Sequence, residues 1–253
     1  MRVVGAMNQV GIRWKPGMTK GKPVRTQFNL PVKFKLEDAP DYVLIGRDSV
    51  YTVFDDTLQY NGGEKALEKY LKDNLKYPTI YQDSCFVGDM EVNLLVEGND
   101  DVKVIEVSDY NNLGFDFQFE VITLANSMGG RWTPAKLRGR PVPTMATFRV
   151  EFRPKEATCQ AAVTQFQRAN ELALEGSNLY NDGEIEAGIA KLTEAVELSP
   201  NNADLLYLRG QAYLNQNLYE EACADFTAVR NILTKTPIDT LLPVICSQKN
   251  EEK

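Results

Sequence analysis

Between residues 144 and 152 apolar and polar positions alternate: Phe148, Val150 and Phe152 fall on one side, Thr147, Arg149 and Glu151 on the other. Period two marks a half-buried strand. Residues 91–96 and 102–107 read as two further strands, joined by the turn-rich Glu97-Gly98-Asn99-Asp100-Asp101. Elsewhere the period lengthens. Across 64–75, Ala66, Leu67, Tyr70, Leu71 and Leu75 share one helical face, and Tyr77-Pro78 ends that helix. Across 115–128, Phe115, Phe119, Ile122, Leu124 and Met128 predict a second helix. The order is helix, strand, strand, helix, strand. From Glu156 onward, Ala162, Phe166, Ala169, Ala173 and Gly176 fall three or four apart with no proline. That spacing predicts a helix of roughly 25 residues to about Asn181, stopped by Gly183.

The block ending in the last strand is written twice. Residues 13–34 and 131–152 align without a gap at an offset of 118. Arg13, Trp14, Pro16, Gly21, Pro23, Val24, Thr26, Val32 and Phe34 meet identical residues in the second copy, and Trp14 and Trp132 are the only tryptophans. This is an internal duplication. Trp-x-Pro cannot continue a helix, so each Trp follows one and plugs the end of a core. Gly-x-Pro-Val is a turn. The first copy is expected to lack its first helix and first two strands, so either the chain is a fragment of a longer protein or its closing strand, 28–36, is an orphan edge that finds partners elsewhere. It is expected to pair within 37–58 or with another chain. Residues 42–46 and 50–54, separated by Arg47-Asp48-Ser49, form an expected hairpin that would serve. Residues 57–63 are expected to be a linker.

GGEKALEKYLKDNLKYP at 62–78, Gly88, KVIEVSD at 103–109 and RWTPAKLRGRPVP at 131–143 together resemble the C-terminal domain of TonB energy transducers. The resemblance covers about 60–154, plus the tail of an earlier copy at 1–36. It implies a small α+β domain that binds rather than catalyses. In that family a short extended peptide from an outer-membrane transporter adds as a strand beside the last strand. The backbone of Thr144, Ala146, Phe148 and Val150 would supply the ladder, and Tyr77 and Pro78 occupy the family's Tyr-Pro position near the binding region.

A second repeat follows, with a period of 34. Gly176 meets Gly210, Leu179 meets Tyr213, Gly188 meets Ala222, Leu192 meets Phe226 and Ala195 meets Val229. Pro200-Asn201-Asn202 closes the first unit. Small residues at helix crossings with this period look like tetratricopeptide (TPR) repeats, with a departure at Thr234, where a proline is expected. The fold class is therefore a TonB-like α+β domain followed by an all-α array of helical hairpins. The predicted divisions are 1–36 (second half of a first TonB-like copy), 37–58 (connecting hairpin), 59–155 (TonB-like domain), 156–235 (TPR-like helices) and 236–253 (tail or cap). Pro237 and Pro243 leave that tail open between short helix and extended chain.

TPR resemblance places Ala173, Ser177, Tyr180, Asn181, Asp204, Tyr207, Gln211 and Leu214 in a groove. These are polar and aromatic rather than basic, which favours a neutral or basic peptide over a C-terminal carboxylate.

Net charge changes the picture only in its distribution. The chain of 253 residues carries −7, yet residues 159–253 hold 7 basic and 14 acidic side chains, which is the whole excess. Such a tail repels nucleic acid and anionic membrane. There is no histidine, which removes the commonest general base and metal ligand. Cys85, Cys159, Cys223 and Cys246 lie far apart, so buried or free thiols are the plain expectation; a disulfide stays open without an assignable pair. Asp55-Asp56 and Asp100-Asp101 read as solvated turns, and Lys136, Arg138 and Arg140 as a solvated basic turn or an acidic-partner patch.

No catalytic constellation, cofactor motif, metal site or small-molecule site is expected. The resemblances imply a periplasmic protein-binding module for energy transduction, anchored in the inner membrane in a full-length protein whose anchor would lie upstream. The alternative is an anchorless periplasmic adaptor that holds two proteins. Expected partners are an outer-membrane transporter segment, a second envelope protein at the TPR groove, and a second copy by strand pairing.

Overall fold

Three stretches with period-two patterning meet in one antiparallel sheet. The computed structural model describes residues 17–19, 22–24, 40–233, 236 and 238–248, and the chain divides into two units, Met1–Ala39 and Pro40–Lys253. In the first unit β1 (Gly17–Thr19) and β2 (Lys22–Val24) form an antiparallel hairpin with Met18 opposite Pro23. The orphan strand expected at 28–36 lies outside the described residues, as do Trp14 and Thr234.

The second unit opens with β3 (Tyr42–Ile45) and β4 (Asp48–Tyr51), a hairpin whose loop is one residue shorter than expected. Gly46 explains this: its φ of 63° supplies the positive first position of a two-residue turn, so the strands close at Ile45 and Asp48. Next come β5 (Gln59–Tyr60) and α1 (Glu64–Asn74), then a 3₁₀ turn at Thr79–Ser84. The linker expected at 57–63 is instead partly strand, because Tyr60 pairs with Trp132 across β8 (Trp132–Thr133). β6 (Gly88–Val96), β7 (Val102–Asp109), α2 (Phe115–Asn126), the short β9 (Lys136–Leu137) and β10 (Arg140–Pro141), and β11 (Thr144–Phe152) complete the α/β part. β9 and β10 repeat the β1–β2 hairpin in register: Lys136 faces Pro141, each 118 residues beyond its counterpart.

The sheet order is β11–β6–β7. Its inner face buries Met90, Val92, Leu94, Val96, Ala146, Phe148, Val150 and Phe152 against the helices. α2 corrects the predicted face. Phe117, Val121, Leu124, Ala125 and Met128 are buried, whereas Phe115 is 73 % exposed and Phe119 56 %. Both faces of this helix offer large apolar residues, so residue type alone does not choose between them. Trp132 is buried with its ring edge against Tyr60, as a plug for this core.

Helices follow: α3 (Gln160–Asn181), α4 (Ile185–Leu198), α5 (Ala203–Asn215), α6 (Tyr219–Ile232) and α7 (Leu242–Gln248). Gly176 and Gly188 let α3 and α4 touch; a Cβ on either would stand 2.8 Å from the other's carbonyl oxygen. Asn202 caps α5 by accepting from the Asp204 and Leu205 N–H groups. α7 resolves the open tail: Pro243 sits in its first turn, where a missing N–H costs no helix bond. Leu242 and Ile245 bury against Ala222, Phe226 and Ile238. Among the described residues no helix is long and apolar enough to cross a membrane.

All four cysteines are bonded, contrary to the free-thiol expectation: Cys85 to Cys159 and Cys223 to Cys246, with Cα atoms 4.9 and 5.1 Å apart. The partners are 74 and 23 residues apart in sequence, and only the fold brings them together.

Candidate functional site

β11 lies at one edge of the sheet. It pairs with β6 along its whole length, from Thr144 opposite Val96 to Phe152 opposite Gly88, and no described strand pairs with its other side. The approach to that edge is shaped by residues 51–61, which run antiparallel to 131–143. Tyr51 N–H donates to Pro143 O at 2.9 Å, Asp55 N–H to Lys136 O at 2.7 Å, and Asn61 N–H to Arg131 O at 2.8 Å. The β3–β4 hairpin then leaves the edge and crosses the outer face, where Asp48 meets Lys103 of β7 and Val50 is buried. β11 itself keeps its outer backbone groups without a ladder partner among the described residues.

Thr144, Ala146, Phe148 and Val150 are all buried, because they belong to the inward-facing half of the alternation. Their side chains sit in the core or beneath it; only their backbone stands at the edge. The side chains beside that edge on the outer face are Thr147, Arg149 and Glu151, which are exposed. These were the polar half of the period-two pattern, and that signal was readable. Thr147 donates to Asn93 Oδ1 at 2.8 Å. Arg149 is committed elsewhere: it lies 3.4 Å from Glu91, 2.9 Å from Asp204 of α5, and stacks 4.7 Å over Tyr110.

Tyr77 and Pro78 lie at the far end of β11, not along its edge. Pro78 is buried, and the Tyr77 hydroxyl donates to Phe86 O at 2.9 Å. Its ring meets Phe117 at 5.3 Å and Phe152, the last residue of β11, at 6.4 Å. Burial raises the Tyr77 hydroxyl above the ordinary tyrosine range, so it is a neutral donor at physiological pH. Exposed Ile80 and Phe86 surround this aromatic cluster, and Tyr81 donates to Asp116.

In the helical part Gln211 donates to the Tyr207 hydroxyl at 2.9 Å, and Gln216 to the Tyr180 hydroxyl at 3.0 Å. Tyr180 in turn reaches Ala212 O across to α5, whereas the Tyr207 ring lies 5.7 Å from Phe226 of α6; Asn181 is exposed at the end of α3. One residue predicted for a groove is taken: Asp204 serves the ion pair with Arg149, which ties the start of α5 to the sheet.

Three other acidic groups have structural work that the sequence did not reveal. Asp100 stands at φ 69° and accepts the Trp132 N–H at 3.0 Å, and Asp55 accepts the Arg138 N–H. Asp225, almost fully buried, forms a bidentate pair with Arg209 at 2.7 and 2.8 Å between α5 and α6. Of the basic turn, Arg138 lies 3.7 Å from Asp41 on the surface and Lys136 is half-buried in β9.

Residues 176–217 match the TPR repeat family. The match runs from the end of α3 through α4 and α5, the same helices that carry the Tyr180–Gln216 and Tyr207–Gln211 contacts. TPR repeats mediate protein–protein interaction, which fits a protein partner for this chain.

Proposed function

We propose that this chain is a TonB-like protein-binding module that works in the periplasm in energy transduction to outer-membrane transporters. It captures an extended transporter segment as an added strand beside β11. The observation that carries the reading is the edge position of β11, whose one ladder partner among the described residues is β6. An unpaired edge is a template for another strand. The buried alternate side chains fix the register, and Thr147 and Glu151 remain beside the guest for selection. The two disulfides suit an oxidising compartment such as the periplasm. No catalytic role is assigned.

The second reading is a two-partner adaptor, and one observation favours it. Cys85–Cys159 ties the loop after Tyr77-Pro78 to the start of α3, so the β11 edge and the TPR face are held at a fixed spacing.

Titration of the ¹⁵N-labelled chain with N-terminal peptides of outer-membrane transporters tests the main reading. Amide shifts are expected along residues 144–152. A peptide with alternate N-methylated amides is expected to bind about tenfold or more weakly, since each lost ladder bond is worth roughly 1 kcal/mol. Shifts confined to α3–α6, or an unchanged affinity of the N-methylated peptide, would overturn the β11 assignment.

A further inference from the structure

The sheet has a second edge. β7 pairs with β6 only, and no described strand lies beyond it. A shallow groove runs along that edge, walled by Val104 and Val107 of β7 and by Gln118 and Ile122 of α2. On the face of α2 turned away from the sheet stand Phe115 and Phe119, more than half exposed, with ring centroids 6.3 Å apart. An edge strand beside a paired aromatic surface is an interaction site rather than ordinary surface.

The charges on β7 say what fits it. A bulge at Ile105 breaks the register: Glu106 faces Asn93, and Val104 faces Leu94. Three residues apart, Lys103 and Glu106 would point to opposite faces of a regular strand. The bulge puts both on the outer face, opposite Leu95 and Asn93, while Val102, Val104 and Val107 lie on the helix side, opposite Val96, Leu94 and Val92. Set a second β7 antiparallel about a two-fold axis between Val104 and Ile105. Lys103 then faces Glu106 of the second copy, Glu106 faces its Lys103, Val102 faces Val107, and Val104 faces Ile105. Shifting by one residue sets Lys103 against an apolar residue. Shifting by three sets Glu106 against Glu106. The strand is its own electrostatic complement in one register.

We propose that two copies of this chain associate through β7, joining their sheets into one of six strands. The two α2 helices come side by side over the joined sheet, and Gln118 and Ile122, which line the groove, are covered there. Lys103 keeps its bond to Asp48 of β4 while facing the second copy, because that hairpin crosses the outer face rather than the edge. The β11 edge lies on the opposite side of the sheet, so this association and guest capture stand or fall separately.

Sedimentation equilibrium on the full oxidised chain tests the proposal. The unaltered chain is expected to show a monomer–dimer equilibrium. Glu106→Lys sets Lys against Lys twice and is expected to weaken association about tenfold or more. Lys103→Glu does the same with Glu. Mixed in equal amounts, the two variants regain opposite charges at both positions and are expected to form a heterodimer. Circular dichroism checks the fold of each; if Lys103→Glu unfolds beside Asp48, Glu106→Lys with Ile122→Ser carries the test, each expected to weaken the dimer. A monomer at every concentration, a dimer indifferent to Glu106→Lys, or two folded variants that stay monomeric when mixed would each overturn it.

Discussion

At the scale of single residues, the sharpest constraint is where α3 and α4 cross. Gly176 and Gly188 place each backbone against the other, and a Cβ on Gly188 would also stand 2.8 Å from Tyr180 N and Cβ. None of these neighbours is the far end of a flexible side chain, so the helices must part. Gly188→Val is expected to destabilise by about 3 kcal/mol or more, measured by urea unfolding. Gly46→Ala, at a positive φ with open space around it, is expected to cost about 1 kcal/mol through backbone conformation alone. Tyrosines set the alkaline limit. Burial raises Tyr60, Tyr77 and Tyr110, and the hydrogen bond to Asp116 raises Tyr81. A raised phenol stays neutral in the folded chain while the unfolded chain ionises near pH 10. The unfolded state then binds fewer protons, so stability is full below pH 10 and falls as pH rises through the folded values. Thermal midpoints from pH 8 to pH 11 should fall only above about pH 10; a steady decline from pH 8 would contradict this.

Elements differ in how openly the sequence announces them, and the reason is range. β6, β7, β11 and α1 were readable because one buried face imposes a period on each. α2 was readable as a helix but not in its orientation: Phe115 and Phe119 outbid Phe117 and Val121 when only residue type is weighed. Residues 55–61 gave no strand signal, since their pairing with 131–136 is set by partners about 70 to 80 positions away. Distance also hid the disulfides. For the edge itself, alternation located β11, but its exposed outward residues are Thr147, Arg149 and Glu151, while the predicted Phe148 and Val150 are buried. The staples differ in expected strength. In the chain-entropy picture, the bond spanning 74 residues contributes about 4.5 kcal/mol and the one spanning 23 about 3.5 kcal/mol. Replacing each pair with alanine should therefore lower the urea midpoint in that order. The reverse order would mean that Cys223–Cys246, which holds α7 onto α6, carries more native structure than its span implies.

Across the whole second unit, the question is whether the sheet and the helices unfold together. Their contact is small but varied. Cys85–Cys159 joins them covalently, the Ala203 N–H donates to Tyr110 O at 2.8 Å, and Arg149 bridges Glu91 and Asp204. Arg153 lies 4.5 Å over Phe166, donates to Gly88 O, and pairs with Asp89 at 2.7 Å. Burial raises the Asp89 carboxyl above its ordinary range even though Arg153 opposes the shift, so removing Arg153 leaves a poorly solvated acid beneath α3. Arg149 is half-exposed and water screens it, so its ion pairs add little by themselves. The covalent bond and Arg153 therefore dominate the coupling. Calorimetry of the oxidised chain should show one cooperative transition. The variant Cys85→Ala/Cys159→Ala with Arg153→Ala should show two, the helical array separating from the sheet. A single transition in that variant would mean that the Tyr110 and Ala203 contact, with the apolar surface around it, is sufficient to hold β11 and the TPR face in one frame.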